Sequence, residues 1–257
     1  MLQLRFLGTG SAFTVGAQNY QSNMLLEHSN GTRLMIDCGT DARHALHDAG
    51  VHFYDIEAVY ISHLHADHVG GLEWLGFCNK FSSHGKKPKL FIQELLVDSL
   101  WRGSLAAGMS SLEEKQATLD DYFDLHAVKQ HFTWQRHQFE LVPTLHVVSN
   151  KQQLGCFGLF FKMGAKRILI TCDTRFTPEH LQPYYEAADI IFHDCELKQP
   201  HSGVHSHYSE LCTLDKKYKS KMWLYHYEPV DLPDAKQQGF QGFVVKGQTF
   251  TFNSDAK

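Results

Sequence analysis

Three imidazoles and a carboxylate fall within six residues, His63-Leu64-His65-Ala66-Asp67-His68, directly after the apolar run Ala58-Val59-Tyr60-Ile61. Imidazole nitrogen and carboxylate oxygen are the ligands that zinc and similar first-row ions take at ~2.0–2.2 Å. A buried strand over 58–61 leaves its sheet at Ser62, and the loop that follows can turn alternate side chains towards two different points. His63 and His65 then share one face and Asp67 and His68 a neighbouring one, so that one short loop starts a centre for two ions ~3.5–4 Å apart. A solvated turn has no need of three imidazoles around an aspartate. The Val69-Gly70-Gly71 that follows lets backbone approach such a site closely. The chain has 18 histidines, and most of the others read as surface or satisfied core residues.

Three more ligand types follow apolar runs. His146 comes after a strand that ends at Val142, Asp173 after the run 168–171, and His226 after 222–225. One metal is then held by His63, His65 and His146 and the other by Asp67, His68 and His226. Asp173 bridges the two, because each of its oxygens can bind one cation and lower their mutual repulsion. The expected cofactor is Zn²⁺, two ions per chain, with Mn²⁺ as the other ion that suits this set.

Around this site, 257 residues form one domain over 1–257, with no linker, repeat or low-complexity stretch. With 43% hydrophobic and 20% charged residues the composition is that of a globular protein. A formal net charge of −4 gives no global attraction for polyanions and argues against non-specific nucleic-acid binding. Cys38, Cys78, Cys156, Cys172, Cys195 and Cys212 are irregularly spaced and read as reduced and mostly buried. Residues 1–8 read as a strand entering a turn, with neither a basic start nor a long apolar segment, so the expectation is a cytoplasmic protein without a membrane partner.

Strands are predicted at 2–7, 23–27, 33–36, 57–61, 90–92, 139–142, 156–162, 167–171, 188–192, 221–225 and 248–252. Helices are predicted at 41–49, through Leu72 and Leu75, at 94–100 and 112–121, and briefly after Pro178, broken by Pro183. The stretch 80–137 differs in character and reads as an inserted lid or dimerisation arm. The expectation is an α/β layered fold with the site at one sheet edge.

The ligand pattern resembles that of the metallo-β-lactamase superfamily over nearly the whole chain. The resemblance implies an αββα sandwich with a dinuclear site at the sheet edge, and a role for Asp37 in orienting the metal loop. Phe6-Leu7-Gly8-Thr9-Gly10-Ser11, Asp173-Thr174-Arg175, His193-Asp194-Cys195-Glu196 and Ser202-Gly203-Val204-His205-Ser206-His207 resemble elements of the ribonuclease Z branch. In that branch a histidine backed by a carboxylate protonates the leaving oxygen. Both His205 and His207 align with it; His205 is favoured because Ser206 would then cap the following helix, with Asp194 as the carboxylate partner. Asp67 or Asp173 orients the attacking water, whose pKa the cations bring towards ~7. The basic residues of 80–137 are few, and 90–123 is similar to the cyclic-nucleotide phosphodiesterases of the anti-Pycsar type, encoded by phages and bacteria. That similarity implies a homodimer that opens 3′,5′-cyclic nucleotides, cCMP and cUMP included and cAMP and cGMP among the candidates. The alternatives are a ribonuclease Z-like tRNA 3′-processing endonuclease, which would add a nucleic-acid partner, and a binder that sequesters nucleotides without turnover.

Overall fold

The computed structural model describes residues 2–149 and 152–252. Its main strands are β1 (Leu2–Phe6), β2 (Met24–His28), β3 (Arg33–Ile36), β4 (Ala58–Ile61), β5 (Lys89–Gln93), β6 (Asp124–Val128), β7 (His131–Trp134), β8 (His137–Thr144), β9 (Cys156–Met163), β10 (Lys166–Ile170), β11 (Ile190–Asp194), β12 (Met222–Tyr225), β13 (Gly242–Phe243) and β14 (Thr249–Phe252). They form two seven-stranded sheets, in the orders β14-β1-β2-β3-β4-β5-β6 and β13-β12-β11-β10-β9-β8-β7.

Strand alternation builds the layers. Leu4, Phe6, Leu26, Ile36 and Tyr60 of the first sheet meet Phe139, Leu159, Ile170, Phe192 and Tyr225 of the second in one buried cluster between the sheets. The opposite face of the first sheet, with Leu25, Met35, Val59, Ile61 and Ile92, is covered by α1 (Ala42–Asp48) and α3 (Leu72–Phe81), which follows the single turn α2 (Ala66–Val69). Further along lie the short helices α4 (Val97–Leu100) and α5 (Ala106–Met109), joined by a π turn at Trp101–Leu105. On the outer face of the second sheet, Leu169, Ile191 and Leu224 pack under α6 (Pro178–Ala187), α7 (Tyr208–Leu211) and α8 (Lys216–Lys219). Each side chain points to one side of its strand, so alternate residues serve the central and outer cores. The result is an αββα sandwich.

Parallel pairing then places the chemistry. β3, β4, β5 and β6 run parallel to one another, as do β10, β11, β12 and β13. Their carboxyl ends therefore line up along one edge of each sheet, where a crevice for ligands forms.

Three expectations need correction. The segment 112–121 is no helix: Ser111–Leu112 and Lys115–Gln116 pair as a hairpin, and a 3₁₀ turn follows at Leu119–Asp121. Pro183 does not break its helix, which runs from Pro178 to Ala187. Both Pro183 and Glu179 are exposed, so the carbonyl that loses its helical donor faces water. The stretch 80–137 contains, besides the expected β5, two further strands of the sheets, β6 and β7; the segment between β5 and β6 is 94–123. Among the described residues, no helix is long and apolar enough to cross a membrane.

Candidate metal centre

The wholly buried β4 ends at Ile61, and the next residue begins the site. Ser62 donates from its backbone N–H to Asp37 Oδ1 at 2.8 Å and from its hydroxyl to Asp37 Oδ2, also at 2.8 Å. His68 Nδ1 lies 2.7 Å from the same Oδ2. Asp37 thus ties both ends of the metal loop to the carboxyl end of β3. It does so from a left-handed backbone conformation, φ 61°, which an aspartate adopts at some cost and which is held here by three bonds. Backbone bonds complete the attachment, Cys38 N to His68 O at 2.7 Å and Gly71 N to Cys38 O at 2.8 Å. Glycine is required at this contact, because a Cβ on Gly39 would sit 2.1 Å from the Asp67 carbonyl and one on Gly71 would sit 2.4 Å from the Gly39 carbonyl.

The remaining groups arrive from the second sheet. His146 follows β8, and Asp173 and His226 follow the parallel strands β10 and β12, which flank β11. Cys172 at φ 50° and His226 at φ 68° turn the chain sharply as it leaves its strand. Asp173 Oδ2 is the common point: His63 Nε2 lies 3.6 Å from it, His68 Nε2 and His146 Nε2 3.5 Å, and His226 Nε2 3.4 Å. Three sets of candidate ligand atoms share this aspartate, His63, His65 and His146 in one, Asp67, His68 and His226 in the second, and Asp194, His205 and His226 in the third, with the atoms of each set within 4.8 Å of one another. The structure brings together all seven residues expected as ligands, and places His205 and Asp194 beside them.

Outer hydrogen bonds decide which nitrogens face inward. A carbonyl only accepts, so His146 Nδ1, 2.8 Å from Val204 O, carries the proton and Nε2 presents a lone pair. The Asp37 carboxylate holds the proton on His68 Nδ1, and His226 Nδ1 lies 3.1 Å from Ser22 Oγ. His65 differs, since its Nδ1 faces the cluster, 3.0 Å from His63 Nε2 and 3.2 Å from His146 Nε2.

Burial sets the electrostatics. It pushes His63 well below the ordinary histidine range and lowers His65 and His146, so these rings stay neutral and available as ligands. Burial opposes ionisation of Asp67 and Asp173, yet the surrounding imidazoles outweigh it and hold both carboxyls below the usual range. His68 Nε2 and Asp173 Oδ1 are buried without a hydrogen-bond partner among the described residues. Converging lone pairs and carboxylates, removed from water, are costly unless a cation neutralises them, and the donor set suits a divalent ion.

Beside the cluster, His205 Nδ1 lies 2.9 Å from Asp194 Oδ2 and 3.9 Å from Asp173 Oδ2. Asp194 is fully buried at the carboxyl end of β11, where its Oδ2 also accepts the Thr174 N–H at 2.9 Å. Burial disfavours a charged His205, but the Asp194 carboxylate more than offsets it and pushes this histidine up to about 10. His207 is elsewhere. It is the N-cap of α7, its Nδ1 accepting from Ser209 N at 3.2 Å, its Nε2 3.2 Å from Gln199 Nε2, and its ring stacked on His201 at 3.5 Å. The preference for His205 agrees with this geometry, but its stated reason does not: Ser206 is no cap, and its hydroxyl donates to Thr174 O at 2.9 Å.

The site opens into a cavity of about 560 Å³, lined by His65, Asp67, His146, Asp173, His205 and His226 together with Phe13, Glu196, Lys198 and Glu228. Sequence reasoning gave Ser62, Ser22, Phe13, Lys198 and Glu228 no part in the site. Ser62 sits next to the motif and was findable; Ser22 comes from 204 positions before His226 and carried no signal.

The family model described as "Anti-Pycsar protein Apyc1" matches residues 2–250. A protein of Paenibacillus xerothermodurans named "Anti-Pycsar protein Apyc1" is 33% identical over 256 residues, 98% of each chain. Among solved structures, the metallo-β-lactamase fold protein YhfI from Bacillus subtilis superposes with a TM-score of 0.76 at 17% identity, covering 97% of this chain and 98% of that one. The short form of human tRNase Z superposes with a TM-score of 0.67, also at 17% identity, covering 98% and 99%. At such identities the structural likeness speaks for the fold alone, and the fold is that of the metallo-β-lactamases.

Proposed function

The chain belongs to the anti-Pycsar Apyc1 family, and from that premise we propose that it is a metal-dependent phosphodiesterase that hydrolyses 3′,5′-cyclic nucleotides, cCMP and cUMP as well as cAMP and cGMP, to nucleoside monophosphates. The observation that carries this reading is the pair of ligand sets sharing Asp173 next to the His205–Asp194 pair, in one cavity. The proposed ligands are His63, His65 and His146 for one ion, Asp67, His68 and His226 for the other, with Asp173 common to both; Zn²⁺ fits this set, and Mn²⁺ is the second candidate. Two such ions would supply Lewis acidity, activating water and offsetting charge on the phosphoryl oxygens.

The chain's own groups do the rest. Asp67 or Asp173, both kept ionised, orients water for in-line attack on phosphorus. His205 is held by Asp194 through Nδ1, which leaves Nε2 to donate a proton to the ribose oxygen as its bond to phosphorus breaks. His207 is given no part, since its Nδ1 is engaged in the cap of α7 and its Nε2 lies against Gln199 Nε2.

Substrate size is the second step. A cavity of about 560 Å³ suits a small ligand. The basic run Lys86-Lys87-Pro88-Lys89 favours a small ligand too. Lys89 pairs with Ala58 at the start of the parallel pair β4–β5, the end away from His63, and Lys87 is turned to the Asp120 carbonyl. Such lysines do not flank the site as a grip on RNA would require.

The homodimer reading places the contact in 94–123, where Leu95 is 77% exposed; Leu95→Glu is expected to shift the mass measured by light scattering from dimer to monomer. The activity itself is tested by incubating the Zn²⁺- or Mn²⁺-loaded protein with cCMP, cUMP, cAMP and cGMP beside a precursor tRNA. Release of nucleoside monophosphate supports the proposal. Cleavage of the tRNA alone would replace it with the endonuclease reading, and tight binding of cyclic nucleotide without any product would replace it with sequestration.

A further inference from the structure

Phe13 is an aromatic ring 69% exposed on a loop that is otherwise tied down, and it lines the same cavity as the metal-ligand cluster. Singly exposed apolar residues are common and need no explanation. This one differs in how it is presented. Ser11 N donates to Tyr227 O at 3.1 Å, anchoring the loop beside His226, and Thr14 N donates to Ser11 O at 3.0 Å, closing a turn with Phe13 inside it. Further on, Lys246 Nζ donates to Ala17 O at 2.6 Å, pairs with Asp48 at 3.1 Å and sits 4.2 Å over the Tyr20 ring. The loop is fixed at both ends while its phenyl ring stands out at the mouth.

The opposite rim belongs to the segment that carries His205. From it, Lys198 Nζ lies 5.0 Å from the centre of the Phe13 ring, so the ring meets a cation while most of its surface stays exposed. Ala12, Pro200 and Val204 supply apolar wall nearby. A cyclic nucleotide has two chemically distinct ends, an anionic phosphodiester and a planar heterocycle. The ligand cluster accounts for the first, and nothing in it can hold the second.

We propose that Phe13 is the stacking surface for the nucleotide base, an inference that rests on the cyclic-nucleotide reading above. Its ring has no hydrogen-bonding group, so it grips a base by its face rather than its edge. Phe13 is thereby a specificity-determining residue for substrates that carry an aromatic base.

The test compares cyclic nucleotides with ribose 3′,5′-cyclic phosphate that lacks a base. Phe13→Ala is expected to raise KM for the base-bearing substrates roughly tenfold, within what base–aromatic stacking supplies, with the loss falling on KM rather than kcat. The ratio of KM for the abasic compound to KM for the nucleotides should fall by the same factor. Phe13→Trp should restore the ratio, and Val15→Ala, at a neighbouring position 90% exposed, should leave it unchanged. Unchanged KM values in Phe13→Ala, or an equal rise for the abasic compound, overturn the inference while the cyclic-nucleotide reading stands. A wild-type protein that hydrolyses none of the four nucleotides overturns both.

Discussion

His205 and His207 are two residues apart and have opposite surroundings, so single substitutions separate them. His205→Ala removes the proposed proton donor and is expected to lower kcat about 10²- to 10⁴-fold, the range of general acid catalysis. His207→Ala removes a helix cap and is expected to cost ~1 kcal/mol of stability while leaving kcat within a few-fold of wild type. Steady-state kinetics and chemical denaturation on both variants check the pair; equal losses of kcat would sink the assignment. Asp37 acts through its neighbours, holding Ser62 and His68 in place. Asp37→Ala is expected to weaken metal affinity about 10- to 100-fold, as loss of an outer partner of a metal-bound histidine does, and competition with a chromophoric chelator measures it.

Among the elements, the loop between β1 and β2 shows how a segment without regular structure is kept in place. Tyr20 OH donates to Asp48 Oδ2 at 2.7 Å, and this bond, with smaller contributions from burial and the negative charge of Asp48, pushes Tyr20 up to about 12. The sign follows from linkage. A tyrosine that holds its proton more tightly when folded contributes stability that is fully present below its unfolded value of ~10 and is lost as pH rises through about 12. Tyr20→Phe is expected to reduce the fall in Tm between pH 10 and 12, measured by circular dichroism. The elements also show what periodicity missed. β6 and β7 read as part of an arm because β6 buries only Val128, and β7, though it alternates with Phe132 and Trp134 turned inward, is only four residues long, too short to establish a period of two. The 112–121 stretch has helix-forming residues, but its backbone pairs within a hairpin instead.

For the whole molecule, the site joins the two halves of the sandwich. His63, His65, Asp67 and His68 extend from the first sheet, and His146, Asp173 and His226 from the second. Ions bound between them would cross-link the sheets and favour the folded state by mass action, ~3–4 kcal/mol at free metal about 100 to 1,000 times Kd. Chelation is therefore expected to lower Tm by several degrees, and His63→Ala should lower Tm and blunt its response to chelator. The shared core has its own test. Phe192, fully buried on β11, packs on Phe6 at 5.2 Å and Phe250 at 4.8 Å across the interface. Phe192→Ala is expected to cost ~3–5 kcal/mol, read from the denaturation midpoint.

The amino-acid sequence by itself marked the candidate ligands, because they follow apolar strands and three imidazoles and an aspartate fall within six residues. It also determined the layered α/β class, through the alternation of strands and helices. Only the tertiary structure separated His205 from His207, which the sequence alone could not distinguish by their surroundings. The choice depends on the buried carboxylate of Asp194, brought within reach of one of them by parallel pairing of β10, β11 and β12. The same holds for Phe13 and Lys198, 185 positions apart, which meet at the cavity mouth because both sheets present the ends of their strands to one edge. A local pattern records which groups are available; distances between remote groups exist only once the chain has packed.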